Sequence, residues 1–165
     1  MLAEVDRYLK ESVARPATHV FVSVGVGSLA QAVCTHYKTK EIPVVITAVE
    51  PDTAACLQAS LRAGKIVPIR TGETIMNGMN CGTVSFTAWN VLQKGIDVSI
   101  AVTDLEVHHD VQYLHENGIP CGPCGAAPLS ALRRLAQSAD RAGMDESSVI
   151  VLFSTEGARE YQVPI

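Results

Sequence analysis

Val20-Phe21-Val22-Ser23-Val24-Gly25-Val26-Gly27-Ser28-Leu29-Ala30 decides the fold of this chain. A run of apolar, mostly β-branched residues leads into two glycines, and an amphipathic stretch, Ser28–Lys38, follows them. This is the grammar of a strand that turns tightly into a helix. Three further short apolar runs, Pro43–Val49, Val98–Val102 and Val149–Phe153, read as buried strands with His19–Val24. Between and around them lie longer amphipathic segments: Leu2–Ala14, Thr53–Ala63, Thr87–Gln93, Leu105–Asn117 and Pro128–Arg141. Asp52 and Asp104 are placed to cap two of these helices, and Gly64 and Gly118 stand where helices end. Strands apolar on both faces, alternating with helices, predict an α/β protein: three layers, with a mostly parallel sheet covered by helices on both faces.

The chain has 165 residues, 47% hydrophobic and 18% charged, enough to bury the core of one domain spanning 1–165. Thirteen Lys and Arg against seventeen Asp and Glu give a formal charge of −4, with no basic run to suit a nucleic acid. No apolar stretch suggests a membrane span, and Glu4, Asp6, Arg7, Lys10 and Glu11 interrupt any signal-like core at the start. A cytoplasmic protein with small-molecule partners, and neither nucleic acid nor membrane, is the expectation. Five cysteines (Cys34, Cys56, Cys81, Cys121, Cys124) are an odd number, which argues against a paired disulfide framework.

The glycine turn has two chemical readings. Glycines permit close approach of a ligand to the backbone, and the unpaired amides at the start of the helix favour a phosphate. The same letters satisfy G-x-G-x-x-A, a dinucleotide fingerprint, and Glu50 ends the next strand about twenty residues on, where a ribose-binding acid belongs.

The rest of the chain bears on that choice. Pro16–Val22, the Gly25–Ala30 turn, Val49-Glu50-Pro51-Asp52-Thr53-Ala54-Ala55-Cys56-Leu57, Thr74-Ile75-Met76-Asn77-Gly78-Met79-Asn80-Cys81-Gly82 and Phe153-Ser154-Thr155-Glu156-Gly157 occur together in one order. Jointly they resemble the C-terminal part of diaminopropionate ammonia-lyase, a pyridoxal-phosphate enzyme of the tryptophan-synthase-β type. The resemblance implies the large-domain half of such an enzyme, from an incomplete copy of a two-domain protein. It implies that Gly25, Val26, Gly27, Ser28 and Leu29 hold the phosphate of pyridoxal phosphate and that the Ser154 hydroxyl faces its pyridine nitrogen. Glu50 then becomes a helix-capping or packing residue. The family reaction is conversion of 2,3-diaminopropionate to pyruvate and ammonia, a step in amino-acid metabolism.

The departures are equally specific. The family's Schiff-base lysine lies well before the glycine loop, after a phenylalanine; here only Lys10 precedes the loop, without that context. Lys38, Lys40, Lys65 and Lys94 follow it and match no motif. After Cys81-Gly82 the family's Glu-Pro-Asn-Pro is Thr83-Val84-Ser85-Phe86. Its Ser-Gly-Glu-Ser-Gly-Ala loop is Pro120-Cys121-Gly122-Pro123-Cys124-Gly125-Ala126, and its Asp-Thr after the last strand is Ala158-Arg159. The resemblance therefore implies no catalytic residue in this chain, and either a homodimer or a lysine-bearing partner half. A non-catalytic binding or assembly module and a Rossmann-type nucleotide-binding domain are the alternatives. Cys56 and Cys81, both in family-matching segments, form the expected cross-loop cysteine pair.

Cys121-Gly122-Pro123-Cys124 also has the letters of a thioredoxin redox motif ahead of a helix. Too little chain follows for the rest of that fold, so a reversible local disulfide is the expectation. His108 and His109 are adjacent and diverge on a helix, which makes them solvated residues, not a metal pair. Asp104, Glu106 and Asp110 read as a charged helix start, favourable with the dipole. No metal site is expected.

Overall fold

The computed structural model describes residues 1–139 and 141–164. Four strands, β1 (His19–Ser23), β2 (Val45–Pro51), β3 (Val98–Val102) and β4 (Ile150–Leu152), form one parallel sheet in the order β3-β2-β1-β4. Phe21 lies opposite Thr47 on one side and Leu152 on the other, and Thr47 lies opposite Val98. The helices are α1 (Leu2–Tyr8), α2 (Ser28–Tyr37), α3 (Cys56–Ala63), α4 (Phe86–Gly95), α5 (Asp104–Glu116) and α6 (Pro123–Gln137).

Alternation along the strands sends side chains to two separate cores. Val20, Val22, Ile46 and Ala48 pack with Leu9, Val33, Leu57, Trp89 and Leu92 on the side of α1 to α4. Phe21, Val49 and Val102 pack with Val107, Val111, Ala127 and Ala131 on the side of α5 and α6. The three-layer architecture expected from the sequence is the one observed. The strands are not equally buried, however: β1 is wholly buried, whereas β3 is half-buried and Ile150 of β4 is exposed. β3 and β4 are the edges of the sheet, and less of the helix layers covers them.

Four helix boundaries differ from expectation, each for a local reason. The amphipathic Leu2–Ala14 segment is α1 followed by a π-turn over Leu9–Val13, ended by Ala14 at φ 58° ahead of Arg15-Pro16. Asp52 does not cap the next helix. It opens a 3₁₀ turn, Asp52–Ala54, and the carboxylate of Glu50 accepts the amides of Leu57 and Gln58 at 2.7 and 2.8 Å instead. Asp104 is replaced as cap by Thr103, whose hydroxyl accepts from the Glu106 amide while Glu106 accepts from the Thr103 amide, a complete capping box. Asp104 turns outward, accepting from the Thr74 hydroxyl and the Ile75 amide.

The last helix starts at Pro123, five residues before the expected Pro128; the expected end at Arg141 runs across residue 140, outside the described residues. Pro128 sits inside α6 and has no N–H for the Cys124 carbonyl one turn back. The hydroxyl of Ser23, at the end of β1, donates to that carbonyl at 2.7 Å. A helix that tolerates an internal proline is thereby pinned to the strand that carries the glycine turn.

Candidate functional site

In a parallel sheet of this kind, ligands bind outside the carboxyl ends of the strands. The glycine turn leaves β1 at that edge. Gly27 caps α2 with φ 103°, which only glycine adopts readily, and its missing side chain leaves room for Leu92 Cδ1, 2.6 Å from where a Cβ would stand. Gly25 is not in a left-handed conformation. It is glycine because the Gly78 carbonyl and the Cys81 sulfur occupy the space of its Cβ, at 2.8 and 3.2 Å. The loop carrying Thr74–Gly82 is thus packed onto the turn, and the Ser85 amide donates to the Val26 carbonyl at 2.8 Å from the far side.

Among the described residues, no side chain caps α2, and the amides of Ser28, Leu29 and Ala30 meet no acceptor of the protein. Val26 and Ser28 are exposed and Leu29 is half-buried. The turn is a set of free donors at the positive end of a ten-residue helix, open to solvent. That is the form of an anion cradle.

Ser154 lies at the same edge. Phe21 of β1 pairs with Leu152 of β4, so Ser154, two residues on, follows the neighbouring strand out beside the turn. Its hydroxyl rests against the first turn of α6, 2.7 Å from where a Cβ on Gly125 would stand, and the Cys121 Cβ lies 3.2 Å from the same point. Sequence reasoning missed Glu156. Its carboxylate accepts the Cys124 amide at 2.6 Å, pairs with Arg159 at 2.8 Å, and so fills the N-terminus of α6. Segment 159–164 and the Thr74–Asn80 loop enclose an open polar cleft of about 600 Å³, with Asp104, Asn77, Asn80 and Tyr161 on its walls.

All five lysines lie away from this edge. Lys38 and Lys40 follow α2, Lys65 follows α3 and Lys94 is in the last turn of α4, three helices that start at the glycine-turn edge and run away from it. Lys38 donates to the Val44 carbonyl and to Asp97, which precede β2 and β3, and Lys40 pairs with Asp6. Lys10 sits in the π-turn before β1 and lines a groove with Val44 at that same far end.

Several other expectations are resolved. Glu50 is fully buried and spent on capping α3, so no ribose can reach it, and burial pushes its carboxyl up to about 7. All five cysteines are free thiols, so the expected Cys56–Cys81 bridge is not formed, although both sulfurs border Gly25. Burial pushes the Cys56 thiol up to about 12. His108 bonds Tyr161, and His109 is exposed. Asp110 is not a solvated helix-start charge: it is 2% exposed between α5 and α6, accepting from the Ser130 hydroxyl and paired with Arg133 at 2.8 Å. Among the described residues there is no cluster of three or more metal-ligating side chains, and no helix is long and apolar enough to cross a membrane.

The family model described as "PALP: Pyridoxal-phosphate dependent enzyme" matches residues 3–156. The chain belongs to that family. Membership implies pyridoxal phosphate as the cofactor. The chain is 27% identical over 127 residues to the biosynthetic L-threonine dehydratase of Corynebacterium glutamicum, a match covering 75% of this chain and 29% of that protein. It superposes on maize serine racemase with a TM-score of 0.81 at 24% identity, over 95% of this chain and 47% of that one. With diaminopropionate ammonia-lyase of Escherichia coli the TM-score is 0.78 at 25% identity, over 94% of this chain and 43% of that one. The chain therefore spans less than a third of the curated relatives it matches and about half of the solved structures.

Proposed function

We propose that this chain is the C-terminal, cofactor-holding portion of an ammonia-lyase of the diaminopropionate type, inactive by itself. The observation that carries this reading is the separation of two functions. Free backbone donors for a phosphate stand at one edge of the sheet, and every lysine stands in segments at the other. The residues present fit pyridoxal phosphate: the amides of Ser28 and Leu29, with Gly25, Val26 and Gly27 giving access, bind the phosphate. Ser154 offers a neutral hydroxyl to the pyridine nitrogen. Bound pyridoxal phosphate supplies an electron sink for carbanions formed on an amino acid.

No lysine at this edge is placed to form the covalent link to the cofactor. A lysine-bearing half, in the same polypeptide or a separate one, is the partner this reading demands. Val26 and Phe86, 45% and 82% exposed on either flank of the turn, belong to the surface such a half would cover. The choice of diaminopropionate over threonine or serine rests on the joint motif match, from Pro16 to Gly157, alone; enzymes of all three kinds superpose equally well.

Thermal-shift and absorbance titrations with pyridoxal phosphate, inorganic phosphate and NAD test the reading. Pyridoxal phosphate is expected to stabilise the fold weakly, inorganic phosphate more weakly still, and NAD not at all. Stabilisation by NAD alone would replace this account with a nucleotide-binding one.

A further inference from the structure

The sequence motif left unused by this function is Cys121-Gly122-Pro123-Cys124, and the structure gives it a setting. Cys121 precedes the first turn of α6 and Cys124 lies within it, with Pro123 as the first helical residue. The side chain of Cys121 folds over that turn, its Cβ 3.2 Å from where a Cβ on Gly125 would stand. Both thiols touch the candidate site. The Cys121 side chain and the Ser154 hydroxyl pack together on Gly125, and the Cys124 sulfur packs on Gly78, whose carbonyl abuts Gly25.

A pair of cysteines at a helix start is normally acidified by the helix dipole and by the free amides of the first turn. Here that place is taken by Glu156, which accepts the Cys124 amide at 2.6 Å and brings a negative charge against both sulfurs. Arg159 holds the carboxylate there from its other oxygen. The remaining polar groups around the pair are His115, bonded to the Cys121 backbone, and Tyr161. Burial and Glu156 together keep both thiols protonated, Cys124 up to about 11.

We propose that Cys121 and Cys124 form a thiol–disulfide switch on the Ser154 side of the site, held open by the carboxylate of Glu156. With a low-molecular-weight disulfide such as oxidised glutathione, Cys124, the less buried residue of the pair at 8% against 1%, attacks as thiolate and releases one glutathione. The Cys121 thiol then displaces the second from the mixed disulfide. The protein loses two protons and two electrons, and the oxidant leaves as two molecules of glutathione. Closure draws the Cys121 side chain off Ser154 and the Cys124 sulfur off Gly78, so it acts on the pyridine side and the phosphate side together. This coupling rests on the cofactor reading above; formation of the disulfide does not.

The experiment incubates wild type and E156Q with oxidised glutathione, traps free thiols with iodoacetamide and maps peptides by mass. One disulfide, between Cys121 and Cys124, is expected, closing about tenfold or more faster in E156Q, because removing the negative charge beside both sulfurs lets the helix start stabilise the attacking thiolate. E156D, whose carboxylate is one methylene short of the Cys124 amide, should close at an intermediate rate and serves in place of E156Q should that variant fail to fold. Equal rates in wild type and the Glu156 variants, or a disulfide at another pair, would overturn the switch. The closed form is expected to bind pyridoxal phosphate about threefold or more weakly than the open form, as loss of contacts worth a single hydrogen bond implies. Unchanged binding would overturn the coupling to the site while leaving the thiol chemistry intact.

Discussion

Two helices of this protein begin at the carboxyl edge of the sheet, on opposite faces, and are treated in opposite ways. The start of α6 is filled from within by the Glu156 carboxylate, which is itself tied to Arg159. The start of α2 is left bare, with Gly27 in the capping position and the amides of Ser28, Leu29 and Ala30 unused. Acids also serve α3, through the buried Glu50, and α5, through the half-buried Glu106 of the Thr103–Glu106 box. α1 and α4 also begin without a side-chain cap, so what sets α2 apart is the combination of unused amides with a glycine turn open to solvent, the combination that suits an anion.

The comparison can be broken at α2 itself. Gly27→Val places a side chain on Leu92 in a left-handed conformation. Strain and overpacking together should cost about 2–5 kcal/mol, and phosphate-dependent stabilisation should vanish with the turn. Denaturant titration with and without pyridoxal phosphate reads both effects. Gly25→Val, by contrast, meets the Gly78 carbonyl and the Cys81 sulfur without a positive φ, so its damage falls on the 74–82 loop and on ligand access more than on global stability.

The second variant tests a filled helix start. Folded Glu50 holds its proton up to about pH 7, whereas an unfolded glutamate releases it near 4.5. Between those values the folded state binds more protons, so stability must fall as pH rises through that window. The full loss is on the order of 3 kcal/mol. Glu50→Gln should flatten the difference in unfolding free energy between pH 5 and pH 8. An unchanged pH slope would mean that Glu50 is ionised in its burial site.

Ser23→Ala should leave the Cys124 carbonyl, opposite Pro128, without a donor and cost about 1–3 kcal/mol. Replacing Pro128 as well, by Ala, restores a helical donor and should recover part of that loss. The mildest variant is Ser154→Ala at an exposed position. It should leave stability within about 0.5 kcal/mol and weaken pyridoxal phosphate by about threefold to tenfold, the worth of one hydrogen bond.

These variants also mark what was legible in the sequence. The strands and the glycine turn are local patterns, so their positions and the parallel α/β class could be read directly. The proposal that the turn cradles an anion came from the same letters, and the structure adds the unused amides of Ser28, Leu29 and Ala30 to it. What stayed hidden depends on partners distant in the chain. Ser23 and Pro128 look unrelated until the fold sets one against the carbonyl that the other orphaned. Glu156 belonged to a motif that resemblance assigned to the site, but its grip on the Cys124 amide is a tertiary contact that no spacing announces. The caps went wrong for a related reason: Asp52 and Asp104 have suitable letters, and Glu50 and Thr103 do the work through side-chain reach that pattern alone does not resolve.

The central claim is that this chain cradles a phosphate-bearing cofactor at an edge that has no lysine to bond it. Borohydride reduction of the protein saturated with pyridoxal phosphate, followed by peptide mass mapping and an ammonia assay with 2,3-diaminopropionate, addresses it directly. The account predicts scattered, substoichiometric pyridoxyl labels on surface lysines such as Lys38, and no ammonia. One stoichiometric pyridoxyl-lysine at a single position, accompanied by ammonia release, would contradict it and show that this chain holds its own catalytic amine.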